Sequence, residues 1–110
     1  MKRILSLAAL LIFIVSCGGL KLTTPTQMDV ERMESTYPDL TVAKLIEGKG
    51  LYEDKCSRCH GLKDPIAYTP EQWQRITPNM ANKARGRQIE ISAEQEETIM
   101  RYLVTMSSPR

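Results

Sequence analysis

Two cysteines separated by two residues and followed at once by a histidine, Cys56-Ser57-Arg58-Cys59-His60, constrain this chain more than any other stretch. C-x-x-C-H is the attachment sign of a c-type haem. Thiols at this spacing can each add to one vinyl group of a single porphyrin, and the adjacent imidazole is then held beneath the metal. A chain bearing the motif has to fold as walls around a large apolar cofactor. Cys56 and Cys59 are the expected covalent attachment points, and His60 is the expected proximal iron ligand. Two other uses of the pair fit less well. Zinc wants a fourth ligand and usually a second paired motif, which the sequence lacks. A thiol-redox C-x-x-C normally follows a strand, and no strand pattern precedes this one.

Export and haem attachment support each other, because covalent attachment of this kind takes place outside the bacterial cytoplasm. Lys2 and Arg3 precede an apolar run from Ile4 to Val15, too short to span a bilayer but suited to the core of a signal peptide. The run ends in Ile14-Val15-Ser16-Cys17, which resembles the lipobox of bacterial lipoproteins. That resemblance implies a signal peptide over 1–16 and a lipid anchor on Cys17, and it places the chain on a membrane of the cell envelope, facing the periplasm. An ordinary signal peptide with a chance cysteine is the alternative. The balance of 15 basic and 13 acidic residues loses Lys2 and Arg3 on such processing, leaving 13 against 13. A near-neutral chain offers no dense basic surface for nucleic acid.

The 110 residues have room for one domain. Residues 17–38 read as a tether, punctuated by Pro25 and Pro38, with a short helix over Asp29 to Ser35. The folded domain spans 39–110. Thr41 is a candidate N-cap for a helix over Val42 to Lys55, with Leu45, Gly48 and Tyr52 on one face. A mid-helix glycine costs about 1 kcal/mol against alanine, which suits a place where another helix comes close. A loop follows, Gly61 to Tyr68. Thr69-Pro70-Glu71-Gln72 forms a capping box with proline at the first helical position. It opens a helix carrying Trp73 and Ile76 that is expected to stop before Pro78. An irregular stretch, Pro78 to Ile91, separates it from a last helix. That helix is opened by the Ser92–Gln95 capping box and carries Ile99, Tyr102, Leu103 and Met106 on one stripe.

Gly48, Tyr52 and Cys56, each four residues apart, together with Tyr102-Leu103 near the end of the last helix, resemble the class I cytochrome c family over roughly Leu40 to Thr105. The resemblance implies an all-α cytochrome c fold, three main helices around one covalently attached haem c. It also implies crossing of the first and last helices, and a proline carbonyl that orients His60. Pro65 and Pro70 are the candidates for that carbonyl, with Pro65 preferred. Trp73 would reach a haem propionate or simply pack in the core, and Tyr52 would support the site.

His60 is the sole histidine of the sequence, so the sixth iron ligand must be of another type. The family places a methionine ligand between the middle and last helices. The resemblance therefore gives that role to Met80, with Met100 as the alternative. The implied function is a membrane-anchored one-electron carrier that exchanges electrons with redox partner proteins and is not an enzyme. A haem enzyme or sensor subunit with a labile sixth ligand is the alternative. Lys83, Arg85 and Arg87 offer either a docking patch beside the haem edge or a solvated loop.

Overall fold

The computed structural model describes residues 20–109; the expected signal peptide and Cys17 lie outside them. The fold is all-α, and no strand occurs among the described residues. Four helices form it: α1 (Gln27–Arg32), α2 (Val42–Leu51), α3 (Pro70–Gly86) and α4 (Ala93–Ser107). None of them is long and apolar enough to cross a membrane.

Helix α2 starts at Thr41, whose hydroxyl accepts the Lys44 N–H at 3.1 Å. Its register is set by Gly48. A Cβ at that position would lie 2.5 Å from the Thr98 carbonyl oxygen and 2.7 Å from the Tyr102 Cβ. No side chain fits between α2 and α4, so the glycine permits their crossing. Beyond Leu51 the helix widens into a five-residue π-helical turn, Tyr52–Cys56. Such turns are rare and cluster at functional sites. Tyr52 and Cys56 are both buried, and the turn delivers the first motif cysteine into the interior.

Helix α4 is the element on which the others converge, packing against both α2 and α3. The Ser92 hydroxyl accepts the Gln95 N–H at 3.0 Å, and the Gln95 side chain accepts the Ser92 N–H at 3.0 Å. The expected stripe is buried, and so are Val104 and Thr105 beside it. The last turn of α4 is therefore covered all round. The N-terminal segment closes the remaining face: Leu22, Met33 and Leu40 join the main core, and Arg32 donates to the Thr105 carbonyl at 2.9 Å. The described part of the stretch read as a tether thus lies against the domain. Its helix begins at Gln27 rather than Asp29, because Asp29 accepts the Thr26 N–H at 2.8 Å and caps the turn.

The expected helix stop at Pro78 is wrong. Helix α3 passes through Pro78 and runs on to Gly86. Proline removes one ladder bond and crowds the preceding turn, at about 3 kcal/mol. Gln74, whose carbonyl loses its donor, is exposed, so water can replace the missing bond. The stripe Trp73, Thr77, Ala81 and Ala84 runs across the proline and is buried along its length. Burial of the indole alone contributes on the order of 4 kcal/mol, enough to hold the helix together. The expected irregular stretch shrinks to a short reversal after Gly86. In the loop after the motif, Pro65–Ala67 form a single 3-10 turn, started by Asp64, which accepts the Ile66 N–H at 3.1 Å.

Candidate haem-binding cleft

The motif and the second half of α3 line one open cleft of about 210 Å³. Cys56, Cys59 and His60 form one side, and Met80, Lys83, Ala84 and Arg87 form the other. Met80, Lys83 and Ala84 of α3 and Arg87 just past its end stand at i, i+3, i+4 and i+7, the spacing of one helix face. A small adjoining hollow of about 10 Å³ shares Cys56 and Met80 with the cleft and is lined further by Thr77, Ala81, Ile91, Glu96 and Ile99. Cys59 packs against a second small core of Ala81, Ala84, Ile89 and Ile91. The two thiols thus stand between two apolar clusters, with an opening at their level.

Burial, and secondarily the neighbouring Cys59, pushes the Cys56 thiol up to about 11. It is held as a neutral thiol in an apolar wall. His60 is exposed, and its Nδ1 lies 2.7 Å from the Gly61 carbonyl oxygen. A carbonyl can only accept, so Nδ1 carries the proton and Nε2 keeps its lone pair for a metal. These features fit a haem c: two free thiols at the right spacing, a directed imidazole nitrogen, and a soft thioether lining the same cleft.

The supporting residues differ from expectation. The Pro65 carbonyl does not serve His60; it accepts the Trp73 indole N–H at 2.7 Å. Trp73 is fully buried, so its N–H is spent on the backbone and not on a propionate. Pro70 is the first residue of α3. The acceptor for His60 is instead the carbonyl of the next residue. No sequence signal marks it, since every residue has a carbonyl. Tyr52 is fully buried and holds the backbone of Lys63, donating to its carbonyl at 2.7 Å and accepting its N–H at 3.1 Å.

Met80 lies on a helix, not in an irregular stretch. Met100 is half-buried against the main core and does not line the cleft. The three cations of the expected patch separate. Arg85 turns to α4, where it pairs with Glu96 at 2.9 Å and donates to the Ile91 carbonyl at 2.9 Å. Lys83 and Arg87 stay at the cleft. The walls formed by Thr77, Ala81, Ala84 and Ile91 were missed by sequence reasoning. The helical spacing of Thr77, Ala81 and Ala84 from Trp73 was visible, had Pro78 not been taken as a boundary; Ile91 lies beyond α3.

Comparison with curated proteins and with solved structures finds no match. The family described as dihaem cytochrome c matches residues 52–110, from the π-helical turn through the motif, α3 and α4. That is more than half of the chain. It supports covalently bound haem c and an electron-transfer role. The chain belongs to the dihaem cytochrome c family.

Proposed function

We propose that the protein is a monohaem, membrane-anchored one-electron carrier with His60 and Met80 as the axial iron ligands. The single observation that carries this reading is the shared cleft, which brings Met80 together with Cys56, Cys59 and His60. The sequence holds one C-x-x-C-H, and after Cys56 and Cys59 its remaining cysteine is Cys17. Two thioether bonds therefore account for one haem in these 110 residues, although the family is named for two.

Bound haem c supplies a one-electron couple between ferrous and ferric iron. The chain's residues do the rest. Cys56 and Cys59 fix the porphyrin, and the Gly61 carbonyl holds the His60 ring with Nε2 free. Ile91, Ile99 and Ala81 line the interior side, beside Thr77 and Glu96. A thioether at Met80 is a soft donor that favours ferrous iron and raises the reduction potential. The lipid on Cys17 confines the domain to a membrane facing the periplasm, where it meets its electron donor and acceptor proteins.

The test is a ligand swap in the holoprotein. Met80→Ala is expected to lower the midpoint potential and to let ferrous iron bind carbon monoxide, with Met100→Ala unchanged in both. Carbon monoxide binding by the wild type, or an effect confined to Met100→Ala, overturns the assignment. Pyridine haemochrome quantification should give one haem per chain. Mass spectrometry of the protein from native membranes should find Cys17 diacylated.

A further inference from the structure

The four residues that follow His60 have no regular secondary structure; Asp64 is tied locally to Ile66 and Ala67, and the backbone before it depends on side chains from elsewhere. Two buried aromatic residues hold them. Tyr52 takes both backbone groups of Lys63 on its one hydroxyl, at 2.7 and 3.1 Å. Trp73 takes the Pro65 carbonyl at 2.7 Å. The two rings also meet each other, edge to face, with centroids 6.2 Å apart and planes at 82°. Both are fully buried. The pair forms a rigid bracket that grips the loop two residues beyond Gly61 and again at Pro65.

Gly61 lies between His60 and that bracket, and its carbonyl is the acceptor that sets the His60 ring. A glycine in a short loop does not fix its own carbonyl direction, because its backbone is the freest of any residue. The direction must come from the anchored side. We infer that Tyr52 and Trp73 are positioning residues for the proximal imidazole, acting through the loop backbone on the Gly61 carbonyl. The inference rests on His60 being an iron ligand.

The direction of the effect follows from the hydrogen bond. An acceptor on Nδ1–H raises the basicity of the ligating nitrogen. A more basic ligand favours ferric iron, so loosening the acceptor raises the midpoint potential. Tyr52→Phe keeps the ring and removes both bonds to Lys63; Trp73→Phe removes the bond to Pro65. Tyr102→Phe is the control. Tyr102 is as buried as Tyr52 and packs against it at 6.2 Å, yet its hydroxyl has no hydrogen-bond partner among the described residues.

The experiment uses purified holoproteins and reads three things: the midpoint potential, the hyperfine-shifted His60 ring resonances of the ferric form, and the melting temperature. Tyr52→Phe is expected to shift the redox equilibrium three- to tenfold towards the ferrous form, a tenfold change being 59 mV for one electron. The His60 resonances should move with it, while Tyr102→Phe leaves both where they were. If Tyr52→Phe does not accumulate as holoprotein, Trp73→Phe carries the same expectation. A lower melting temperature with an unmoved potential and unmoved His60 signals means that the bracket is merely structural, and it overturns the inference. An equal shift in Tyr102→Phe overturns it as well. A wild-type protein whose His60 signals show no contact with iron overturns the functional reading, which separates the two failures.

Discussion

Gln88 is the one residue other than glycine with positive φ among those described, at 66°. It ends α3 in a Schellman arrangement, in which the Ile89 N–H reaches the Ala84 carbonyl at 3.0 Å and the Gln88 N–H reaches that of Arg85 at 3.0 Å. Ile89 and Ala84 meet in the same apolar cluster. A side chain in the left-handed region costs about 1–2 kcal/mol, partly offset because glycine has more freedom to lose on folding. Gln88→Gly is expected to stabilise the holoprotein by about 0.5–1 kcal/mol, read as a melting temperature a few degrees higher. A second residue-scale effect concerns pH. Burial pushes the Tyr52 hydroxyl up to about 12, against the opposing pull of its bond to the Lys63 backbone, and burial raises Tyr102 as well. The unfolded chain ionises these groups near 10.0. Their contribution is thus full below pH 10 and is lost as pH rises towards about 12, since the native state there holds protons that the unfolded state has released. Denaturant midpoints should fall across that window, and less steeply in Tyr52→Phe; a slope identical to the wild type's would refute the assignment. At this scale the motif was legible because C-x-x-C-H encodes its chemistry in adjacent residues. The Gly61 carbonyl was not, because a backbone group has no letter of its own.

At the scale of elements, capping was the most legible feature. The Thr41, Thr69 and Ser92 caps all accept the N–H three residues on, at 3.1, 3.2 and 3.0 Å. Such bonds are local, so the sequence holds both partners. Gly48 was legible for a different reason, since its helix cost made sense only if a second helix came close. That close approach makes Gly48→Ala the sharpest element-scale prediction. The added methyl would meet the Thr98 carbonyl oxygen at 2.5 Å, and backbone cannot step aside as a flexible side chain can. The helices must part, at about 2–3 kcal/mol. The melting temperature should drop by about 10 °C or more, with less haem incorporated per chain. An alanine variant as stable as the wild type would show that the crossing is looser than this geometry. Two elements escaped the sequence. Pro78 signals a stop by local rules, but burial of Trp73, Thr77, Ala81 and Ala84 against the rest of the fold outweighs the local cost. The π-helical turn at Tyr52–Cys56 carries no composition that differs from an ordinary helix end.

For the whole molecule, the chain joins a neutralised buried interior to a cleft whose mouth keeps its charge. Asp29 is 1 % exposed and pairs with Arg32 at 2.9 Å, while Arg32 also ties α1 to the end of α4. Arg101 bridges Asp39 at 2.9 Å and Glu97 at 3.0 Å. Lys83 and Arg87 have no such ion pair among the described residues, and no carboxylate lines the cleft beside them. Two unpaired cations at the opening where the motif cysteines lie will draw an anionic reactant to the edge of the haem. Hexacyanoferrate(III) is a suitable probe, because it needs no knowledge of the natural partner. A trivalent anion about 10 Å from one unit charge in water gains about 1.2 kcal/mol before screening. Removing both cations in Lys83→Gln/Arg87→Gln should therefore slow oxidation of the ferrous protein several-fold in 0.01 M salt, where the Debye length is about 30 Å. At 1 M salt, with a Debye length of about 3 Å, wild type and variant should converge. Arg85→Gln is the informative comparison, since Arg85 is held by Glu96 and the Ile91 carbonyl away from the opening. It loses the same single charge from the same helix as Lys83→Gln but should slow the reaction less. Slowing by Arg85→Gln equal to that of Lys83→Gln alone, which removes the same single charge, would mean that the probe senses total charge, whereas a difference between these two single variants locates the electron's exit at the face shared by Lys83, Arg87 and the motif.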